Sequence, residues 1–327
     1  MDTRLKQLYR WLDQVLDVSE YELKPASADA SFRRYFRLFL GPQTLIVMDA
    51  PPDRESLTSF TDIAKKFFDL GLNVPEIIDL DHGQGFMLLS DLGSTLYLDR
   101  LNTQTVDRLY GDAMGALVVL QAGTQSSPDF LPDYNKNLLI QEMRLFTDWY
   151  LARELGVTIT GKQQQVFDGI FEKLANNALA QPQVWVHRDY HSRNLMVTNR
   201  HNPGILDFQD AVRGAVTYDL VSLLRDCYVS WPQEQIMDWV EGYHQLAQES
   251  GIPVCDSAEQ FQVWFDRMGV QRHLKAVGIF SRLCHRDGKN AYLNDIPRTM
   301  KYIWRVCEQD RELARLASML TELGVAK

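Results

Sequence analysis

The sequence has few cysteines and no long apolar run. Its 327 residues include only 4 cysteines, none of them in a CxxC pair: Cys227, Cys255, Cys284 and Cys307. Such spacing favours reduced thiols over a disulfide framework. No stretch reaches the roughly 18 apolar residues that a membrane helix needs, and the N-terminal segment lacks the apolar core and cleavage site of a signal peptide. These absences predict a soluble, cytoplasmic protein.

Positive charge is also in short supply. The 34 Lys and Arg residues face 43 Asp and Glu residues, which gives a net charge of −9. A negative mean field repels polyanions and therefore argues against a nucleic-acid or anionic-membrane partner. An anionic ligand would need a local basic site or a metal ion. With 45% hydrophobic residues, the chain has enough apolar material for the core of about two domains.

Apolar periodicity changes near residue 90. Before that point it predicts an N-terminal helix and, further on, two strand pairs flanking a second helix; the strands are expected at 35–40, 44–50, 74–80 and 86–90. Beyond it, helical spacing dominates, interrupted by short β-like pieces at 184–186, 195–197 and 204–206. We therefore predict an α+β fold with a small β-rich N-lobe, residues 1–90, and a larger helical C-lobe, residues 91–327.

The segment WVHRDYHSRNLMV contains the pattern H-x-D-x-x-x-x-N, formed by His187, Asp189 and Asn194. A kinase catalytic loop has this form. Asp189 would orient the acceptor hydroxyl and take its proton, and Asn194 would offer a side-chain oxygen to Mg²⁺. The short apolar piece GIL ends at Asp207, which would supply a carboxylate to the same ion. The pattern predicts an ATP- and Mg²⁺-dependent kinase with Asp189 as the catalytic base.

Each fragment of this pattern also has a purely structural interpretation. The HxD triplet is short enough to be a polar turn, and Asp207 alone could cap a helix. His187 and His191, four residues apart, would suit a zinc ion only on a helix, whereas the flanking pieces have strand patterns. It is the combination of the fragments in one order that favours a kinase.

Together, HRDYHSRN, LDFQDA and VTYDLVSLL resemble the aminoglycoside phosphotransferase and choline kinase branch of the protein-kinase-like fold, over nearly the whole chain. The resemblance implies a bilobal kinase. It also implies that His187 and Asp219 support the catalytic loop and that His191 lies at the acceptor site. The segment LLSDLG would be the hinge that holds adenine through backbone groups, at Leu89, Ser90 and Asp91.

Four further segments narrow the resemblance: SFRRYFR, LIVMDAPP, LLSDLG and GIFSRLCHRDGK. They are similar to bacterial members of the family that phosphorylate N-acetylmuramate and N-acetylglucosamine at the anomeric C1 hydroxyl during cell-wall recycling. In this fold the acceptor site lies in the helical lobe, in front of Asp189. The charged candidates for contacting the sugar there are Arg225, Asp226, Arg282 and Lys289. A lactyl carboxylate would need an arginine or lysine, but a surface salt-bridge network is the plain alternative.

The strand expected to carry a phosphate-binding lysine has Met48 and Asp49 in place of a cation. No lysine occurs between positions 24 and 65, so Arg33 or Arg34 is expected to supply the charge. Alternatively, both arginines are simply solvated strand residues. The preceding segment has no glycine, and Ser31 is its candidate for approaching the phosphates.

Two rival functions remain. An aminoglycoside- or choline-type kinase would line its pocket with carboxylates to hold a cationic acceptor, and the basic residues near Arg282 argue against it. A nucleotide-binding pseudokinase that serves as an interaction module would explain the missing lysine. The presence of Asp189, Asn194 and Asp207 disfavours that second rival. The expected partners are therefore ATP and a small sugar, without nucleic acid or membrane.

Overall fold

The computed structural model describes residues 3–18, 20–27, 33–54 and 57–327. The chain forms two compact units. The first comprises Met1–Leu96 together with Leu195–Asp210, and the second comprises Tyr97–Asn194 together with Ala211–Lys327. Strands are concentrated in the first unit and helices in the second, as the predicted α+β class requires.

The first unit is built on a five-stranded antiparallel sheet of order β1-β2-β3-β5-β4. Its strands are β1 (Glu22–Ser27), β2 (Arg34–Leu40), β3 (Gln43–Asp49), β4 (Ile77–Asp81) and β5 (Phe86–Ser90). The described residues of this unit also form helices α1 (Thr3–Val15) and α2 (Thr58–Asp69). The predicted N-terminal helix and both strand pairs are confirmed, whereas β1 was not predicted.

Helix α1 packs against the sheet through one apolar stripe. Leu8, Trp11 and Leu12 are buried with Val47 and Phe86 in a single cluster, and the rings of Trp11 and Phe86 lie 5.7 Å apart. The three helix residues follow the i, i+3, i+4 spacing that places side chains on one face. The N-terminal segment is therefore an integral part of the first unit's core.

The turn between β4 and β5 contains the sequence Gly83-Gln84-Gly85, which is a hairpin feature and not a phosphate loop. Gly85 has φ +72°, and a Cβ on it would lie 2.0 Å from the carbonyl oxygen of Ala50. The backbone N–H of Ala50 also donates to the carbonyl of Gly85 at 2.8 Å. Only glycine allows both the left-handed conformation and this close approach.

A short hairpin joins Leu195–Met196 to Gly204–Ile205 and belongs to the first unit. Its strands form bridges to Asn73 and Leu96, and Phe208 packs on Phe60 of α2 with ring centres 4.9 Å apart. The sequence-based division had placed these residues in the second lobe. The backbone pairing, which periodicity does not reveal, assigns them to the first unit instead.

The second unit is mainly helical. Its helices are α3 (Tyr97–Arg100), α4 (Val106–Ser126), α5 (Lys136–Leu145), α6 (Gly161–Ala180), α7 (Tyr218–Leu224), α8 (Gln233–Glu249), α9 (Ala258–Asp287), α10 (Ile296–Gln309) and α11 (Ala314–Glu322). A π-helical segment, Phe146–Glu154, continues α5, and a 3₁₀ turn, Asn290–Asp295, precedes α10. The strands Gln183–Val186 and Val212–Ala215 pair antiparallel. Nowhere in the described ranges is a helix both long and apolar enough to cross a membrane.

Helix α9 is 30 residues long and runs through the interior of the second unit. It crosses the junction of α5 and the π-helical segment at Gly278, where a Cβ would lie 2.3 Å from the backbone carbonyl carbon of Leu145. The helix ends at Gly288, in the left-handed conformation typical of a C-terminal glycine. Because it is buried along much of its length, α9 can carry charged side chains into the unit.

Candidate active site

The loop that carries Asp189 follows the strand Gln183–Val186 and is held by the first turn of α7. Both carboxylate oxygens of Asp219 accept backbone N–H bonds, from His187 at 2.6 Å and from Arg188 at 3.0 Å. Arg188 has φ +75°, a conformation that is costly for a residue with a Cβ. These two bonds hold the backbone in that conformation, which is the geometry that the predicted supporting role of Asp219 requires.

His187 lies beneath the loop. Its side chain is fully buried, its Nδ1 accepts from the backbone N–H of Asp189 at 3.3 Å, and its ring packs edge-on against Tyr190. His191, by contrast, packs edge-on against Tyr228. The two histidines thus have separate neighbours, and the loop between them is not a helix, which removes the basis for a zinc pair.

The far end of the loop is tied down by Asp226 and Asn194. The carboxylate of Asp226 accepts from the backbone N–H of Ser192 and from that of Tyr228, each at 2.9 Å. The amide nitrogen of Asn194 donates to the carbonyl of Asp189 at 3.0 Å. This bond orients the Asn194 side chain, so that ligation of a metal ion would use its Oδ1.

Asp189 sits in a positively charged environment. Burial by itself would raise its pKa, but the positive charges of Lys275, then His191 and Arg272, outweigh burial and lower the pKa to about 2. The carboxylate is therefore ionised at neutral pH and ready to accept a hydrogen bond. Lys275 and Arg272 both come from α9 and were not predicted as site residues.

Glu142 of α5 is the counter-ion for part of this charge. It forms salt bridges with Arg188 and with Lys275, the latter at 3.3 Å. Lys275 also donates to the hydroxyl of Tyr218 at 3.2 Å. Sequence reasoning missed Glu142 as well, since a single glutamate in a helix carries no distinguishing pattern.

The predicted acceptor-site residues have different surroundings. Asp226 and His191 lie at the catalytic loop, as described above. Arg225 is buried, pairs with Asp266 at 2.5 Å and stacks on Phe265, so it links α7 to α9. Arg282 lies in the last two turns of α9, and Lys289 lies beyond the end of that helix. Within the described part of the chain, Arg282 has no salt bridge to the loop.

Asp207, predicted as a metal ligand, belongs to the first unit and has φ +63°. Its Oδ1 accepts a hydrogen bond from the Gln209 side chain at 2.8 Å. A residue other than glycine in the left-handed region is typical of functional sites, where the fold imposes the strain. A carboxylate fixed in this way fits a hard dication.

The end of β3 carries a buried carboxylate held between two arginines. Asp49 is fully buried and accepts from Arg34 at 2.9 Å and from Arg4 of α1 at 2.7 Å. Arg34 remains 39% exposed at its side chain. The lysine expected on this strand is thus replaced by an acid that fixes the guanidinium of Arg34. Arg33 is partly buried next to it, and Ser31 lies outside the described residues.

The predicted hinge comprises the last two residues of β5, Leu89 and Ser90, and the following Asp91. Leu89 is buried, and the hydroxyl of Ser90 accepts from the backbone N–H of Glu76 at 2.8 Å. Asp91 accepts from Arg37 at 2.7 Å and from the backbone N–H of Gly93 at 2.9 Å. The side chains of Ser90 and Asp91 therefore stabilise the backbone of the segment, and its role as an adenine hinge stays a prediction.

Comparison with known proteins gives consistent matches. A model of the phosphotransferase enzyme family matches residues 22–257. An N-acetylmuramate/N-acetylglucosamine kinase of Pseudomonas putida is 46% identical over 98% of this chain and 97% of its own. The protein of the same name from Neisseria meningitidis serogroup B is 42% identical over 97% of this chain and 95% of its own.

The fold comparison agrees. The crystal structure of an ADP-bound aminoglycoside phosphotransferase matches with a TM-score of 0.59 over 92% of this chain and 98% of its own, at 16% identity. A likeness at that identity concerns the fold alone, and it confirms the predicted protein-kinase-like class. The resemblance drawn from the sequence motifs is confirmed as well. On the family model and on relatives above 40% identity along almost its whole length, the chain belongs to the phosphotransferase enzyme family.

Proposed function

We propose that the protein is an ATP-dependent kinase that phosphorylates the anomeric C1 hydroxyl of N-acetylmuramate and N-acetylglucosamine in cell-wall recycling. The observation that carries the proposal is the 46% identity, over 98% of the chain, to a relative with this name. The catalytic loop supports it, since Asp189 is an ionised carboxylate held by a braced backbone. The proposal places the enzyme in the cytoplasm, where ATP is available.

Asp189 would orient the C1 hydroxyl and take its proton as that oxygen bonds to the γ-phosphorus of ATP. The bond from this phosphorus to the β,γ-bridging oxygen breaks, and ADP leaves with the electron pair. A pKa of about 2 makes Asp189 a weak base before the reaction. A weak base of this kind suits an anomeric hydroxyl, because that hydroxyl is more acidic than an ordinary alcohol and its proton needs less driving force for removal.

Mg²⁺ belongs to the same proposal, with Asn194 and Asp207 each as a ligand. Both residues offer hard oxygen atoms, and a hydrogen bond orients each side chain. Asn194 donates to the carbonyl of Asp189, and Asp207 accepts from the side chain of Gln209. The ion, when bound, supplies positive charge that offsets the charge of the phosphates. His187, Asp219 and Asp226 hold the loop that presents Asn194.

For ATP, we propose Arg34 as the cation that contacts the phosphates and the backbone of residues 89–91 as the adenine hinge. The carboxylate of Asp49 accepts a hydrogen bond from the guanidinium of Arg34 and thereby limits the rotation of the Arg34 side chain. A guanidinium held in this way can direct other N–H groups at a phosphate. His191, Arg282 and Lys289 are proposed contacts for the sugar, whereas Arg225 is already paired with Asp266.

The test is an assay of the purified protein with ATP, Mg²⁺ and a panel of acceptors: N-acetylmuramate, N-acetylglucosamine, its methyl glycoside, choline and an aminoglycoside. We expect turnover of the two free sugars only, with phosphate at C1 by ³¹P NMR. Phosphorylation of the methyl glycoside would assign another hydroxyl as acceptor. Turnover of choline or the aminoglycoside in place of both sugars would reassign the substrate class, and nucleotide binding without any turnover would indicate a pseudokinase.

A further inference from the structure

Arg272 of α9 is a buried cation in the second unit. Arg272 is only 5% exposed, yet its guanidinium forms no salt bridge within the described ranges. Its Nη1 donates to the sulfur of Cys227 at 3.7 Å, and no described residue offers a hydrogen-bond acceptor to its Nε. Thiols are weak acceptors, so this contact does little to replace the lost hydration of a guanidinium.

The neighbouring buried cations differ from Arg272 in this respect, because each has a carboxylate partner. These pairs are Arg188 with Glu142, Lys275 with Glu142, and Arg225 with Asp266. A buried charge left unpaired is costly to the folded state. Within the described residues, Arg272 therefore has no carboxylate in salt-bridge contact, whereas each of the other three cations has one.

The nearby acids do not supply that group. Cys227, which contacts Arg272, directly follows Asp226, and the carboxylate of Asp226 holds the backbone of Ser192 in the catalytic loop, so the guanidinium lies close to that loop. However, both oxygens of Asp226 accept backbone N–H bonds, from Ser192 and Tyr228. Among the described residues Asp189 forms no salt bridge with Arg272 either, so direct pairing of the guanidinium with a negative group is left to a bound ligand.

We propose that Arg272 binds an oxyanion of the reactants beside Asp189. This inference rests on the proposed function, which provides two such groups: the lactyl carboxylate of N-acetylmuramate and the phosphoryl group in transfer. The planar guanidinium matches the geometry of either one. N-acetylglucosamine lacks the carboxylate. Comparing the two acceptor sugars therefore shows whether Arg272 binds the lactyl carboxylate or the phosphoryl group.

The kinetic test uses two variants. Arg272→Met removes the charge but retains the bulk of the side chain, and Arg272→Lys retains the charge but removes the planar guanidinium. Arg267→Met is the matched control, because Arg267 lies on the same helix and pairs with Asp310 at 2.6 Å. Binding of the carboxylate predicts a loss of about 10- to 100-fold in kcat/KM for N-acetylmuramate alone. Binding of the phosphoryl group predicts a similar loss in kcat with both sugars.

Unchanged kcat and KM for both sugars in a folded Arg272→Met protein would overturn the proposal while leaving the sugar kinase assignment intact. If oxyanion binding needs the charge but not the planar guanidinium, Arg272→Lys should keep most of the activity that Arg272→Met loses. Should Arg272→Met fail to fold, Arg272→Gln, which also lacks the charge, takes its place, and unchanged kcat and KM for both sugars in that variant would overturn the proposal.

A second measurement does not depend on turnover. Without ligand, Arg272→Met should melt at a higher temperature than the wild type, since it removes an unpaired buried charge. Inorganic phosphate or N-acetylmuramate should raise the melting temperature of the wild type and have a smaller effect on Arg272→Met. Equal anion-dependent shifts in the two proteins would overturn the proposal, even if the enzyme proved to act on another substrate.

Discussion

At the scale of single residues, we expect phosphoryl transfer to depend most directly on the charge of Asp189. Asp189→Asn preserves the shape of the side chain and removes its ability to take a proton. We expect kcat to fall by about 10²- to 10⁴-fold, with little change in nucleotide binding. Asp168→Asn, on the outer face of α6, removes a carboxylate from an exposed pair with Arg144 and serves as the control. Turnover close to wild type in Asp189→Asn would show that another group is the base.

Arg34 is the second residue whose role can be tested alone. Arg34→Ala leaves Asp49 compensated by Arg4, so the fold should tolerate the change. We expect the apparent KM for ATP to rise by about tenfold or more, because a charge-assisted bond to a phosphate is lost. Arg108→Ala, at an exposed pair on α4, should leave it unchanged. A larger effect of Arg33→Ala than of Arg34→Ala would move the phosphate contact to Arg33.

His273 should make stability depend on pH. Burial, followed by the charge of Arg272 and less so that of Arg225, lowers its pKa from 6.5 to about 3. The ring also stacks on Tyr302 at 5.0 Å, and its Nε2 bonds the Arg225 carbonyl at 2.8 Å. Below pH 6.5 the unfolded chain binds a proton that the folded protein excludes, so the stabilisation is full above that pH and falls toward pH 3.

This one group should lower the free energy of unfolding by about 2 kcal/mol between pH 7 and pH 5. Urea denaturation of the wild type and of His273→Gln, which keeps a donor for the Arg225 carbonyl but does not titrate, measures the difference. The variant should show a flatter profile. His82→Gln, at an exposed position, is the control and should retain the wild-type slope. Parallel profiles for wild type and His273→Gln would show that the histidine does not contribute.

At the scale of secondary-structure elements, the crossing of α9 over Leu145 depends on the absence of a side chain at Gly278. Gly278→Ala should destabilise the protein by about 1–3 kcal/mol, despite the better helix propensity of alanine. Gly242→Ala in α8 is the matched control, because nothing lies within 4 Å of a Cβ there. That change should stabilise by up to about 1 kcal/mol. Thermal or urea denaturation of both variants tests the contrast, and equal effects would contradict it.

The elements that periodicity predicted are those with one clear apolar face, such as α1 and the β2–β3 hairpin. Strand β1 was missed because it reads ELKPAS, without alternation and with Pro25. It lies at the edge of the sheet, where a missing N–H is tolerated. Asp189 and Asn194 could be proposed from the sequence because they share one short loop. Arg272 and Lys275 were missed because only the tertiary packing of α9 brings them to that loop, although two cations within an apolar stretch of helix were a visible signal.

At the scale of the whole molecule, the two units are interleaved along the chain. The first unit includes Leu195–Asp210, so a fragment that ends at Leu96 lacks part of it. We expect that fragment to be less stable than a version in which residues 195–210 are joined to it through a flexible linker. Circular dichroism during thermal unfolding compares the two. Equal melting of both fragments would show that the hairpin contributes little to the unit.

The same connectivity determines when the protein can fold as it is made. Domains generally fold as units during synthesis, from the N-terminus onward. Here the first unit needs the hairpin that pairs with Asn73 and Leu96. The five-stranded sheet can form once residue 90 has emerged, but the first unit stays incomplete until residue 210 is released, after helices α3 to α6 have been synthesised. The nascent chain should therefore expose apolar surface for longer than a contiguous domain of equal size, and should be correspondingly more dependent on ribosome-associated chaperones.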